Sequence, residues 1–129
     1  MNVLLDTHAL LWWWSEPAKL SARVRALLAD SSTDVTVSAA SAWEIATKFR
    51  IGKLPSGGRI MEQWMDRLAE DRFRELSMSA RHALRAGSLP GAPRDPFDRM
   101  IAAQSILEGL PVASADAAIS ALGAERLWE

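Results

Sequence analysis

The chain has 129 residues, enough for one hydrophobic core and too few for two full domains. Apolar residues make up 49% of it and charged residues 24%, the balance of a globular protein and not of a disordered or fibrous one. A formal net charge of −1 gives no broad positive field for a polyanion, and the lack of cysteine excludes disulfides, thiolate metal sites and a cysteine nucleophile.

No apolar run approaches bilayer length, and Met1–Asp6 lacks the basic, apolar and small-residue succession of a secretion signal, so a cytoplasmic location is expected. Val3–Leu5 reads as a short buried strand ending at Asp6, followed by helical sequence to about Trp14. Successive helical residues differ by about 100°, so Trp12, Trp13 and Trp14 cannot all face one core. At least one of them belongs on a surface, at a subunit contact or over the mouth of a site. Ser15-Glu16-Pro17 turns the chain, and Ser21 caps a helix carrying Val24, Leu27 and Leu28. Asp34–Ser38 is β-rich and predicts a second strand, with a helix from about Ala40 to Arg50 closed by Gly52. After the loop Pro55–Gly58, the spacing predicts one amphipathic helix from Ile60 to about Asp71, with Ile60, Trp64, Met65 and Leu68 on one side.

Phe73–Leu76 is a short strand, and Ser79 caps a helix over Ala80–Ala86. The loop Gly87–Arg94 leads to Asp95-Pro96, which opens a helix with proline at its first position and ends it at Gly109. Leu110–Ala113 is an apolar strand, Ala115–Leu122 the last helix and Arg126–Trp128 an edge strand. Strands alternating with helices predict an α/β fold, a parallel sheet with helices on both faces.

In such sheets ligands sit beyond the carboxyl ends of the strands, and four acidic residues fall at such places. Asp6 directly follows the first strand, and Asp116 lies just beyond Leu110–Ala113. Glu44 stands in the first turns of the helix after Asp34–Ser38, and Asp98 in the first turn of the Asp95 helix. Two unit charges about 4 Å apart repel by roughly 4 kcal/mol at an effective dielectric near 20, so a convergent cluster calls for cations. Oxygen-only ligands favour Mg2+ or Mn2+, and with His8 and His82 the only histidines a zinc site is disfavoured. Each residue also has a plainer role. Asp95 suits a helix N-cap, Asp98 a capping-box-like position, Asp116 a helix N-terminus and Glu44 an i,i+4 partner of Lys48. Asp6 is the least explained by such roles, because an ionised aspartate straight after a buried strand needs a partner.

Four segments carry a resemblance. They are Leu4-Leu5-Asp6-Thr7-His8-Ala9-Leu10-Leu11-Trp12-Trp13, Ser38–Lys48 continuing to Gly52-Lys53-Leu54, Asp95-Pro96-Phe97-Asp98-Arg99-Met100-Ile101-Ala102-Ala103-Gln104, and Ala113-Ser114-Ala115-Asp116. In this order they resemble the PIN-domain ribonucleases, specifically the VapC-type toxins of bacterial and archaeal toxin–antitoxin pairs. The resemblance implies a PIN-like three-layer α/β/α fold with a central, mostly parallel sheet, as one domain over residues 1–129. It implies that Asp6, Glu44, Asp98 and Asp116 are the catalytic residues and metal ligands, holding Mg2+ or Mn2+ for hydrolysis of an RNA phosphodiester without a covalent enzyme intermediate. A homodimer and a VapB-like antitoxin are the implied partners, the antitoxin covering the acidic groove and inserting a cationic side chain near the carboxylates.

Asp95 is a secondary candidate. Thr7 orients Asp6 or a metal-bound water, or simply packs at the turn. Arg99, Lys48 and Lys53 are candidates for the RNA backbone, with solvated surface roles as the plainer reading. One departure is that members of this subgroup often carry histidine shortly before Asp-Pro-Phe-Asp, where this chain has Gly91-Ala92-Pro93-Arg94.

Two alternatives use the same acidic pocket. A phosphotransferase of the haloacid-dehalogenase type would take Asp6 as nucleophile, but expects aspartate where His8 stands. A receiver-like Mg2+-binding signalling module would place its phosphate acceptor at the end of a mid-chain strand, where Ser38 and Ala39 stand.

Overall fold

The computed structural model describes residues 1–129. Five strands form one sheet, β1 (Asn2–Leu5), β2 (Asp34–Ser38), β3 (Arg74–Leu76), β4 (Val112–Ala113) and β5 (Arg126–Leu127), in the order β3-β2-β1-β4-β5. All four pairings are parallel, with Leu5 opposite both Val37 and Ala113. Val3, Leu4 and Leu5 are fully buried, as an all-apolar strand in the middle of a parallel sheet should be. Alternation across the pleat sends Val3 and Leu5 to one core, with Leu10, Val24, Val37 and Phe73, and Leu4 to a second, with Ile101, Val112, Ile119 and Leu122. The three-layer arrangement follows from that division.

Eight α-helices cover the faces. They are α1 (Thr7–Ser15), α2 (Ala22–Ala29), α3 (Ala39–Arg50), α4 (Gly57–Glu62), α5 (Trp64–Asp71), α6 (Ala80–Ser88), α7 (Pro96–Glu108) and α8 (Ala117–Ala121). From β1 the chain builds β2 and β3 on one side, then crosses to build β4 and β5 on the other. The sheet order therefore reverses between β1 and β4, and the crevice at their carboxyl ends is the expected place for a ligand. Receiver modules use the order 2-1-3-4-5, so this sheet removes the architectural basis of that alternative.

Short polar side chains start most helices. Asp6, Ser21, Ser38, Ser79, Asp95 and Asp116 each accept a hydrogen bond from an amide in the first turn they cap. Gly109 closes α7 at φ 69°, a left-handed conformation that costs glycine little.

The expected single helix over Ile60–Asp71 is instead two, because the chain bends at Gln63 (φ −101°), whose amide bonds back to Arg59. Apolar periodicity does not register a one-residue bend, since Ile60 and Leu68 remain buried on either side of it. Met65, expected among the buried positions, is 71% exposed. The final helix starts at Ala117 and not Ala115, because Asp116 is its cap.

The three tryptophans are all half-buried against the first core. Trp13 and Trp14 turn their indole N–H groups to one acceptor, Asp71 Oδ2, at 3.3 and 2.8 Å, while Trp12 stacks obliquely on Trp128. A shared half-buried carboxylate lets adjacent indoles lie sideways on the core, so none of the three is left as a fully exposed ring.

Candidate metal centre

Asp6 is the first residue past β1 and caps α1, its Oδ1 accepting the Ala9 amide at 2.8 Å. Only 4% of it is exposed, and burial pushes its carboxyl above the usual range. The Ser114 hydroxyl, the Ala9 amide and the His8 ring act against that rise, while Glu44 adds to it. Glu44 lies one turn and a half into α3, also 4% exposed, with Lys48 Nζ at 2.5 Å from its Oε2. The plainer i,i+4 pairing is therefore present, and Lys48 is engaged by Glu44.

Asp98 stands in the first turn of α7 and is half-buried. Its carboxyl is pushed up to about 7, first by burial and then by the negative charges of Asp95, Asp116, Glu44 and Asp6 in turn. No hydrogen bond from the chain reaches its carboxylate; only its backbone amide is bonded, to Asp95. Asp116 is exposed and caps α8 through the Ala118 amide at 2.9 Å, and Asp95 caps α7 through the amides of Phe97 and Asp98. Both thus have the plainer role that their sequence positions suggest, while still adding charge around Asp98.

The fold brings the four sequence-predicted residues within electrostatic reach of one another at the β1/β4 crevice. It does not close them around a point, for no three acidic or histidine side chains stand close enough together to hold an ion between them. Charge repulsion acts over several ångströms, whereas ligation requires oxygens about 2.0–2.6 Å from one ion. Mutually repelling carboxylates with Glu44 drawn off to Lys48 leave the cluster open. The donor set fits a hard divalent cation in charge and chemistry, being all oxygen, excess negative, and containing in Asp98 a carboxylate that nothing else satisfies.

Hydrogen bonds outside the acidic set hold the helices that carry it. Thr7 Oγ1 donates to Ser41 Oγ at 3.0 Å, joining α1 to α3 directly behind Asp6 and Glu44. This gives Thr7 a packing role at the turn, one of the two readings of its sequence position. Ser38 Oγ donates to Gln104 Oε1 at 2.5 Å, and Gln104 Nε2 donates to the Ser77 carbonyl, so one buried amide ties the start of α3 to α7 and to the strand exit at β3. Sequence reasoning passed over Gln104 and Ser41. A glutamine at an apolar-face position of α7, three residues after Ile101, was the available signal. A Gln104→Leu chain leaves Ser38 and the Ser77 carbonyl without their partner, and is expected to lose about 2–3 kcal/mol. In a domain of this size that lowers Tm by roughly 10 °C, as thermal unfolding will measure.

Arg99 is neither a solvated surface residue nor a free phosphate contact. Its guanidinium donates to the carbonyls of Ala86 (2.9 Å), Pro93 (2.8 Å) and Leu89, strapping down the loop ahead of α7. A groove of about 760 Å³ opens between α1 and α3–α5, lined by His8, Trp12, Trp14, Lys53, Arg59 and Arg67 among others.

A parallel three-layer sheet with a carboxylate crevice at its switch point is the architecture of the PIN domain. The family model for that domain matches residues 3–125, and the chain belongs to the PIN-domain family. It is of the VapC type, similar to Ribonuclease VapC22 of Mycobacterium tuberculosis, with 30% identity over 116 residues that cover 89% of this chain and 87% of the relative. Its fold is similar to that of a chain in the crystal structure of VapBC2 from Rickettsia felis bound to a DNA fragment from their promoter. That match has a TM-score of 0.72 and 16% identity, with full coverage of both chains. It is also similar to a chain of FitAcB from Neisseria gonorrhoeae, at TM-score 0.66 and 21% identity over 98% of this chain and 96% of the other.

Proposed function

We propose that this chain is the toxin of a type II toxin–antitoxin pair, an endoribonuclease whose Asp6, Glu44, Asp98 and Asp116 hold Mg2+ or Mn2+ against an RNA phosphodiester. The single observation that carries the site assignment is Asp98, raised to about 7 by burial and by Asp95, Asp116, Glu44 and Asp6 together. A divalent ion, when bound, supplies Lewis-acid stabilisation of the phosphoryl oxygen and a more acidic water. The chain's own side chains divide the remaining work. Asp6 is fixed by its cap bond to Ala9, and is the rigid member. Asp98 and Asp116 stand towards solvent and meet the RNA side of the crevice. Glu44 is balanced by Lys48, which lowers the repulsion an approaching phosphate encounters.

The relative from Mycobacterium tuberculosis is a ribonuclease by name, and the similar folds occur in the VapBC2 and FitAcB structures, which supports RNA as substrate and an antitoxin as partner. A single domain over 1–129, a homodimer and a cytoplasmic setting belong to the same reading; no helix is long and apolar enough to cross a membrane. The antitoxin is expected to place a cationic side chain among the carboxylates. The test is to purify the chain alone and with its antitoxin, incubate each with cellular RNA and Mn2+, and map new RNA ends. Discrete ends from the free chain, suppressed in the complex, are expected. Intact RNA with the free chain sinks the nuclease reading, and equal cleavage by the complex sinks the inhibition.

A further inference from the structure

Trp43 and Phe97 form an aromatic pair beside the acidic crevice that neither the fold nor the carboxylate chemistry uses. Trp43 directly precedes Glu44 on α3, and Phe97 directly precedes Asp98 on α7. Their ring centroids are 4.7 Å apart at 76°, an edge-to-face contact across the two helices. Trp43 is nonetheless 49% exposed, whereas the other five tryptophans are half-buried and packed on the first core. The indole N–H of Trp43 bonds to nothing in the chain, in contrast to those of Trp13, Trp14 and Trp64. A large, flat ring is thus held by its neighbour and offered to solvent, Trp43 one residue from Glu44 and its supporting Phe97 one residue from Asp98.

We infer that Trp43, steadied by Phe97, is the platform on which an unpaired nucleobase next to the scissile phosphate stacks. This rests on the endoribonuclease reading above and adds to it a named residue that holds a base of the substrate. The chemistry supports that choice of occupant. Sequence-tolerant recognition of single-stranded nucleic acid relies on aromatic faces, because every base has one, and A-form duplex grooves do not expose base faces to a ring on a rigid helix. A chain of net charge −1 has little general attraction for RNA, which gives weight to local contacts such as this one. Trp43 is a specificity residue in this reading and takes no part in bond breaking.

The experiment measures binding in an Asp98→Asn background, without added metal, to three fluorescein-labelled dodecamers: oligoadenylate, oligouridylate and a fully abasic ribose-phosphate strand. With Trp43 present, oligoadenylate is expected to bind about tenfold more tightly than the abasic strand, with oligouridylate between them. Trp43→Ala removes that spread by weakening oligoadenylate about tenfold and leaving the abasic strand unchanged, and Trp43→Phe restores most of it. Met65→Ala, an exposed apolar truncation on α5, leaves all three unchanged. An equal loss on all three strands with Trp43→Ala, or no loss on any, overturns the inference. So does a fall from dimer to monomer in sedimentation that accounts for the lost affinity, since Trp43 would then face a second copy of the chain. Mn2+-dependent cleavage by the unmodified chain, run in parallel, separates the two levels. Cleavage with flat binding sinks only the stacking role, whereas absent cleavage and absent binding sink the nuclease reading together with it.

Discussion

An Asp98→Asn chain is expected to lose Mn2+-dependent RNA cleavage by at least about a hundredfold while unfolding no more readily than its parent. The loss follows from removing one anionic oxygen from the set proposed to hold the cation. The retained stability follows from two features of Asp98. Its carboxylate accepts no hydrogen bond from the chain, so asparagine leaves no partner unsatisfied. It is also the member that the other four carboxylates repel, so its neutralisation relieves about 1–2 kcal/mol at pH 8, once the charge is discounted for being half in solvent. A ligand whose removal silences the enzyme and firms up the fold is hard to explain as a structural residue. Asp6→Asn is expected to be just as silent, but near the parent in stability, since asparagine keeps the capping oxygen that Ala9 needs. Cleavage rates and Tm values of the two variants, measured side by side, decide the matter. Parental cleavage by both would refute the site assignment.

The second large effect concerns pH. For Asp98 the folded-state pKa, about 7, lies above the unfolded value of 3.8. Between those values the folded chain holds a proton that the unfolded chain has released, so stability falls as pH rises through this window and levels off above it. Asp6 is shifted in the same direction by burial and adds to the slope. Asp30, lowered by the amide and hydroxyl of Ser32, acts oppositely, but only below pH 3.8, where it loses stability on acidification. The metal-free chain is therefore expected to melt higher at pH 5.5 than at pH 8. Millimolar Mg2+ or Mn2+ should cancel that difference, adding about 1–3 kcal/mol at pH 8 and much less at pH 5.5, where protons compete for the same oxygens. Thermal unfolding at both pH values, with and without the ion, checks it. A metal effect that is equal at both, or absent, argues against ligation by this cluster.

Much of the fold was legible in the sequence because parallel α/β units write themselves in local patterns. Val3–Leu5 is apolar without alternation because it is buried on both faces, and Ser21, Ser79 and Asp95 announce helix starts by capping. The acidic residues were readable from their places at strand exits and in early helix turns, whereas the cap that Asp6 makes on α1 was not. The bend at Gln63 stayed hidden because it costs no apolar position, and the indoles sharing Asp71 stayed hidden because Asp71 lies 57 and 58 residues from them. The open spacing of the carboxylates and the capture of Lys48 by Glu44 depend on side-chain directions that only tertiary packing sets. Gln104 belongs with these, a polar residue in a helix whose neighbours Ile101 and Ala103 gave it the look of a core position.

The strap formed by Arg99 bears on how turnover is governed. Three backbone carbonyls of the 86–93 stretch converge on one guanidinium that grows from the same helix as Asp98. The approach to the crevice on that side is consequently a fixed wall and not a flap that folds over the nucleic acid. With that side held in place, a strand enters the crevice only where its contour already suits the opening.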